Sequence, residues 1–370
     1  MLTEWLMENA SPVIRYRTLV EIMKTTDQTL VQKTLAEVLA LPQTQKRLDL
    51  LASLDYRRTH GANSTYLENV LPILGDFGLY YGMEAFDRAN KKISEIIPII
   101  ADMSYDKLVA YPFLLRAGFE WDGLLSSATQ RIDMIYDFTR HGDYDIYDYY
   151  DDETGYKGMP KAFRNRPVIK PAIASGEGIR LPLIYDMVML AAVYDRVPDK
   201  MQVKIDNIVD YVIANEYDAV KTGYGILRAA PGKYYAMGWD CLKPFNSNRY
   251  YANQNFQRLL LYARFPTAVK TKWFSHAVDY MAQYRTAKGT YIFPKHFLGE
   301  ADGNWVLGAR CGLGENRRKQ NWAEIESTFY MRKLLACVED GSGNGYVRHF
   351  PPDIAYRTLF CDGFEFDPVW

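Results

Sequence analysis

Leu181-Pro-Leu-Ile-Tyr-Asp-Met-Val-Met-Leu-Ala-Ala-Val193 is followed closely by Lys200-Met-Gln-Val-Lys-Ile-Asp-Asn-Ile-Val209. The first stretch is apolar almost all round, whereas the second carries its apolar residues on one helical face with charges between them. A helix that is greasy on every side needs to be enclosed, and an amphipathic helix behind it can do the enclosing. The two therefore read as an inner helix and its outer companion. Working outward, the same pairing recurs. Ser11-Pro12 supplies an N-cap and an N1 proline to a helix whose face is Val13, Tyr16, Leu19, Val20 and Met23, with a partner at about Gln28 to Leu39. Further pairs run from about Ser64 to Leu74, stopped by Gly75, with Glu84 to Ile100, and from about Tyr105 to Leu115, stopped by Gly118, with Gly123 to Thr139. Another joins Tyr251 to Tyr262 with Thr267 to Tyr284, and a last helix runs from about Ile325 to Val338.

The first members begin near residues 12, 64, 105, 181, 251 and 325. Repeated helical hairpins must bury their inner faces on neighbours, either by stacking openly or by closing into a ring. The expected fold is all-α: an α/α toroid of about six inner and five to six outer helices, forming one domain over residues 1–370. An irregular insertion or lid is expected at about 141–178 and an irregular tail at about 340–370. Strand-type alternation is scarce apart from pieces such as Thr290-Tyr-Ile-Phe293, so a large sheet is not expected.

Composition narrows the function classes. Lys and Arg number 44 against 45 Asp and Glu, a net charge of -1, which leaves no basic excess for a nucleic-acid backbone. No stretch reaches the roughly 18 apolar residues of a membrane span, and the start lacks a signal-peptide pattern. Cys241, Cys311, Cys337 and Cys361 show no C-x-x-C pair and read as reduced thiols, so the expected location is the cytoplasm. Gly223-Tyr-Gly225 and Gly312-Leu-Gly314 each lack the third glycine of a dinucleotide fingerprint, and no cofactor is expected. The expected partner is a small molecule, hydrophobic or carbohydrate, because 29 Tyr, 17 Phe and 7 Trp supply rings that line such pockets as readily as they fill cores.

Trp5-Leu-Met-Glu8 leading to Ser11-Pro-Val-Ile-Arg-Tyr-Arg-Thr-Leu19, with Gly289-Thr-Tyr-Ile-Phe-Pro294, Gly312-Leu-Gly-Glu-Asn-Arg-Arg318 and Glu324-Ile-Glu-Ser-Thr-Phe-Tyr-Met331, resembles the α/α-toroid proteins of the terpenoid cyclase and protein prenyltransferase superfamily. Within it the chain is most similar to bacterial squalene-cyclase-like proteins of undefined activity. The resemblance implies the toroid over most of the chain. The chain departs from the characterised members: the D-x-D-D motif that class II cyclases use for protonation is represented only by Tyr149-Tyr-Asp-Asp152. The Asp-x-Cys zinc pair of the prenyltransferases is replaced by adjacent Asp240-Cys241. No metal site is expected there, nor in the acidic run Asp143 to Glu153, which lacks calcium-loop spacing and reads as a solvated loop or lid.

In such a ring the loops entering the inner helices crowd one mouth, and these loops carry the candidate site residues. In Arg57-Arg-Thr-His-Gly-Ala-Asn-Ser64, His60 is a general acid or base or a ligand donor, unless the loop is only a helix cap with solvated arginines. Arg180, at a helix start, needs an anionic partner: either an ion pair or an anionic substrate. Lys233 to Cys241 offers Tyr234, Tyr235 and Trp239 as substrate-binding rings with Asp240 as a carboxylate, and continues to Tyr250. Glu315, Arg317 and Glu326 form the densest group. Glu324 and Glu326 diverge by about 160 degrees on a helix, so one of them looks inward. Asp240, Glu315, Glu326 and His60 are thus the candidate catalytic residues, and Arg180, Tyr234, Tyr235, Trp239, Tyr250 and Arg317 the candidate substrate contacts.

Three functions fit this set. The first is a terpenoid-cyclase-like enzyme acting on a hydrophobic or polycyclic substrate by acid/base chemistry, with Asp240 or a loop carboxylate as proton donor. The second is a carbohydrate hydrolase or polysaccharide lyase, with Arg180 or Arg317 holding a uronate. The third is a non-catalytic binding protein.

Overall fold

The computed structural model describes residues 2–90, 107–148, 158–175, 178–221, 223–245 and 252–339. The contrast between enclosed and amphipathic helices is realised. Nine of the ten residues of helix Ile184–Val193 are buried, against seven of fifteen in Asp199–Ile213. Every residue of Leu67–Asp76 is buried, against three of twelve in Gln28–Leu39.

The enclosed helices touch one another in order. Leu67–Asp76 packs on Lys107–Ala117, which packs on Ile184–Val193, which packs on Ala252–Tyr262. Phe256 meets Tyr330 of helix Trp322–Glu339 at 5.3 Å between ring centroids. That last helix packs on the π-helical turn Thr18–Ile22, which continues helix Pro12–Arg17. Arg17 closes the sequence of contacts by donating to the Asp76 carbonyl at 2.9 Å. One hydrophobic cluster runs through these helices from Leu6 to Cys337.

Several boundaries differ from the sequence reading. Leu2–Asn9 and Pro42–Ala52 are additional helices, and the expected helix at 267–284 is divided into Pro266–Val269 and Lys272–Ala282. Gly118 ends its helix at φ +107°, a conformation costly for any residue with a Cβ. Gly75 does not end one: it lies inside Leu67–Asp76, where a Cβ would stand 2.6 Å from the Arg116 guanidinium. The expected helix from 84 is described over Glu84–Ala89, and its remainder to residue 100 lies outside the described residues.

The chain is mostly helical but departs from the all-α expectation in carrying a small mixed sheet, ordered Tyr147–Asp148, Val168–Ile169, Gly225–Ala230 and Lys233–Met237. Part of the expected lid at 141–178 is therefore strand, paired in parallel to residue 226 through Val168. The hairpin 225–237 escapes a periodicity search because its strands are short and turn on Pro231-Gly232. Residues 149–157 of the acidic run and the tail from 340 lie outside the described residues.

A buried ion pair locks the Asp122–Thr139 helix to the start of Ile184–Val193. Arg131 donates through Nε and an Nη to the two Asp186 oxygens at 2.9 and 2.7 Å, and to the carbonyls of Ile179 and Leu181. Asp186 also accepts from the Leu183 N–H at 2.8 Å. Removing one charge strands the other in the interior, at a cost of about 3–5 kcal/mol. Arg131→Met should lower the unfolding free energy by that amount in urea titrations, and an added Asp186→Leu should recover a large share of it.

Candidate functional site

The enclosed helices present two chemically different ends. At the end where Leu67–Asp76 and Ile184–Val193 begin, the loop before the first of these folds back on Glu68. The carboxylate of this 2% exposed residue accepts from the Gly61 N–H at 2.5 Å and from the Tyr185 hydroxyl at 2.6 Å, and lies 3.0 Å from His60 Nδ1. The Tyr185 oxygen is also 3.0 Å from that Nδ1. Trp239 meets both rings edge-on at 5.3 Å, and its carbonyl accepts from the Ile184 N–H. The His60 side chain remains 43% exposed, so an oriented imidazole faces solvent above a buried carboxylate.

The remaining expected residues are spread around this end and beyond it. Asp240 is buried with both oxygens occupied: it accepts from the Gly223 N–H at 2.7 Å and the Leu242 N–H at 3.1 Å, with Arg258 at 3.3 Å. Its neighbour Cys241 is enclosed, and burial pushes its thiol well above the usual range. Tyr234 and Tyr235 are consecutive on a strand and so face opposite ways. Tyr234 packs on Met159, Val168 and Ile226, while Tyr235 is exposed. Arg180 is exposed, and Tyr250 lies outside the described residues.

Glu315, Arg317 and Glu326 do gather. Arg317 Nη2 lies 3.3 Å from Glu326, its Nε 3.2 Å from Glu300, and its guanidinium stacks 3.8 Å above Trp322. Glu326 also accepts from the Leu313 N–H at 2.9 Å. Buried Glu315 accepts from the Ser11 N–H and faces Lys319 at 4.0 Å. Glu324, the other half of the helical pair, takes a hydrogen bond from Thr290.

Toward the opposite ends of the enclosed helices lies a cavity of about 250 Å³. Its wall combines five arginines (Arg17, Arg116, Arg196, Arg264 and Arg310) with four carboxylates (Glu21, Asp76, Glu120 and Asp195), aromatic rings and aliphatic side chains. The paired charges include Arg17 and Lys333 on Glu21, the latter at 2.7 Å, which hold that carboxyl down at about 2. Arg116 meets Asp76 at 2.8 Å, and Arg264 meets Asp195 at 3.1 Å. None of the described candidate residues lines this cavity.

No known protein family, curated protein or solved structure matches the chain.

Among the described residues no group of three or more His, Cys, Asp and Glu side chains is placed to hold a metal ion, and no helix is long and apolar enough to cross a membrane. Of the expected residues, the structure brings His60 to Trp239 and Arg317 to Glu326. Sequence reading missed Glu68 as a site residue, and missed Tyr185 inside an apolar run. The available signal was a carboxylate followed immediately by eight enclosed positions, where a charge needs a dedicated partner.

Burial raises Glu326 to about 7, outweighing an Arg317 guanidinium shared with Glu300 and the Leu298 carbonyl; Glu300 and Glu315 add to the rise. The folded protein thus holds a proton that the unfolded chain releases near its ordinary value of 4.5. Its contribution to stability is complete below the unfolded value and is lost as the pH rises toward 7. Glu326→Gln should flatten the decline of the thermal midpoint between about pH 5 and 8. An unchanged decline would place the responsible proton on another group.

Proposed function

We propose that the protein is an α/α-toroid enzyme that transfers protons at the His60 end of its enclosed helices, on a polar, carbohydrate-like substrate. The toroid reading is supported by the order of helix contacts from Pro12–Arg17 round to Trp322–Glu339. The enzymatic reading is carried by one observation: His60 Nδ1 lies 3.0 Å from the buried Glu68 carboxylate and 3.0 Å from the Tyr185 oxygen. A carboxylate behind an imidazole fixes its tautomer and stabilises the imidazolium formed when the opposite ring nitrogen takes a proton. Glu68 and Tyr185 are positioning residues in this scheme, and His60 is the proton carrier.

The geometry favours the carbohydrate reading over alkene protonation. A cyclase needs a carboxylic acid facing its substrate, but Asp240 is 4% exposed and both its oxygens are turned to N–H and guanidinium donors of the protein. An imidazole suits a weaker demand, such as the proton next to a uronate carboxylate. His60 would remove that proton, the electron pair would form the double bond as the neighbouring C–O bond breaks, and the imidazolium would return the proton to the departing oxygen. Arg180, exposed just before the Ile184–Val193 helix, and Arg57, exposed in the His60 loop, are the cations this reading offers to a uronate.

Turnover of a panel of uronate oligosaccharides, read by the ultraviolet absorbance of the unsaturated product, tests this reading. His60→Asn should lower kcat by about 10²–10⁴-fold with substrate affinity retained, and Tyr185→Phe should shift the pH profile. Hydrolysis without an unsaturated product would move the reaction to the glycosidase class. Cyclisation of an isoprenoid by the His60→Asn variant at the wild-type rate would refute the proposal.

A further inference from the structure

The loop that carries His60 has a short tip, Gly61 to Asn63, in which Ala62 and Asn63 are exposed. Before the tip, the loop is tied through its backbone to the opening turn of Leu67–Asp76: the Leu67 N–H donates to the Arg58 carbonyl at 3.1 Å and the Glu68 N–H to that of Thr59 at 3.2 Å. The tip is held by a side chain. Asn69, fully enclosed, donates through Nδ2 to the carbonyls of Gly61 and Asn63, each at 2.9 Å, and its Oδ1 accepts from the Trp305 N–H at 3.0 Å. Both amide hydrogens and the oxygen are therefore in use, and a reversed amide would set an oxygen against two carbonyls. The segment leading to Trp305 also touches the tip, where a Cβ on Gly303 would stand 1.7 Å from the Ala62 carbonyl oxygen. Gly61, at φ +140°, adopts a conformation open mainly to glycine and adds little stiffness of its own.

Taking His60 as the proton carrier proposed above, we infer that Asn69 is its positioning residue: by gripping the carbonyls on both sides of Ala62 together with the backbone of Trp305, it fixes the imidazole over Glu68 and Tyr185. The Tyr185 hydroxyl donates its own proton to Glu68 at 2.6 Å, so the bond between the phenol oxygen and the imidazole has to come from Nδ1–H. That leaves the Nε2 lone pair as the base. Nδ1 keeps this proton while it lies within hydrogen-bond reach of Glu68 and Tyr185, 3.0 Å from each, and Gly61, directly after His60, is one of the two points at which Asn69 holds the chain. A tip released by loss of Asn69 lets the ring swing into solvent, where a neutral imidazole carries its proton mainly on Nε2 and offers the wrong nitrogen.

Nitrogen-15 NMR of the whole chain labelled at histidine, at about pH 9 where an ordinary imidazole is neutral, reads the tautomer, and the spectrum of His60→Asn assigns the His60 signals among the five histidines. The wild type should show His60 in the Nδ1–H form, and Asn69→Ala should move it to the Nε2–H form. Asn69→Ser, which removes less volume and leaves a hydroxyl for one carbonyl, should move it part of the way and keeps the test open where Asn69→Ala fails to fold. Trp305→Phe deletes the indole bond to Asp76 but keeps the backbone N–H on Asn69, so it should lower the thermal midpoint and leave the tautomer unchanged. A tautomer that follows the midpoint in every variant would reduce Asn69 to an ordinary stabilising contact. In the uronate assay Asn69→Ala should lower kcat about 10²-fold with KM little changed. A wild-type Nδ1–H form that persists in both Asn69 variants overturns the inference even where uronates are turned over, and its loss in them sustains it even where none is, so the fate of the catalytic reading is decided separately. A wild-type ring already in the Nε2–H form overturns both.

Discussion

Trp305 is held at both ends of its own structure. Its backbone N–H donates to Asn69 at 3.0 Å, and its indole N–H donates to Asp76 at 2.7 Å, nearly two helical turns further along the same helix. Arg116 lies 4.6 Å above the ring and Phe113 meets it edge-on at 5.8 Å. Phe113 in turn touches Tyr185, so a column of rings stands between the His60 cluster and the arginine-lined cavity. The segment carrying Trp305 reaches this position because Gly303 lets the backbone pass against the Ala62 carbonyl, where a Cβ would collide.

This arrangement explains what could be read in advance and what could not. Helical faces are local, and the distinction between 181–193 and 200–209 survives folding because burial follows from the chain's own periodicity. His60 and Trp239 were identifiable because glycines and polar residues set off their loops. Glu68 and Tyr185 were hidden because each sits in a helix whose apolar pattern is satisfied without reference to its polar tip. The cavity was out of reach for another reason: Arg17, Arg116, Arg264 and Arg310 come from four distant segments, and each alone reads as an ordinary surface charge. Their burial and their carboxylate partners show that these arginines face inward.

The polar interior also sorts its charges. Glu21 serves Arg17 and Lys333, Asp302 serves Arg47 and Arg310, and Arg317 serves Glu300 and Glu326. Buried groups that share partners in this way are seldom balanced pair by pair, and the imbalance surfaces at particular atoms. On the acidic side it appears as a carboxyl lifted to about 7, and on the basic side as a guanidinium nitrogen without an acceptor. The first is compensated by holding a proton, whereas an arginine has no proton it can readily release.

Contacts between segments far apart in sequence also impose an order of events on synthesis. Ser11 pairs with Glu315, Gln43 with Gly314, Arg47 with Asp302 and Glu21 with Lys333, so partners lie about 250–310 residues apart. At ribosomal speeds of roughly 5–20 residues per second, the first helices emerge about 15–60 s before the segments that will cover them. During that interval Leu6, Val13 and Ile14, all fully enclosed in the finished protein, have nothing to pack against from the far end of the chain. The apolar faces of the first helices thus wait, uncovered, for the segments made last, an exposure that contacts of long sequence separation impose on a growing chain.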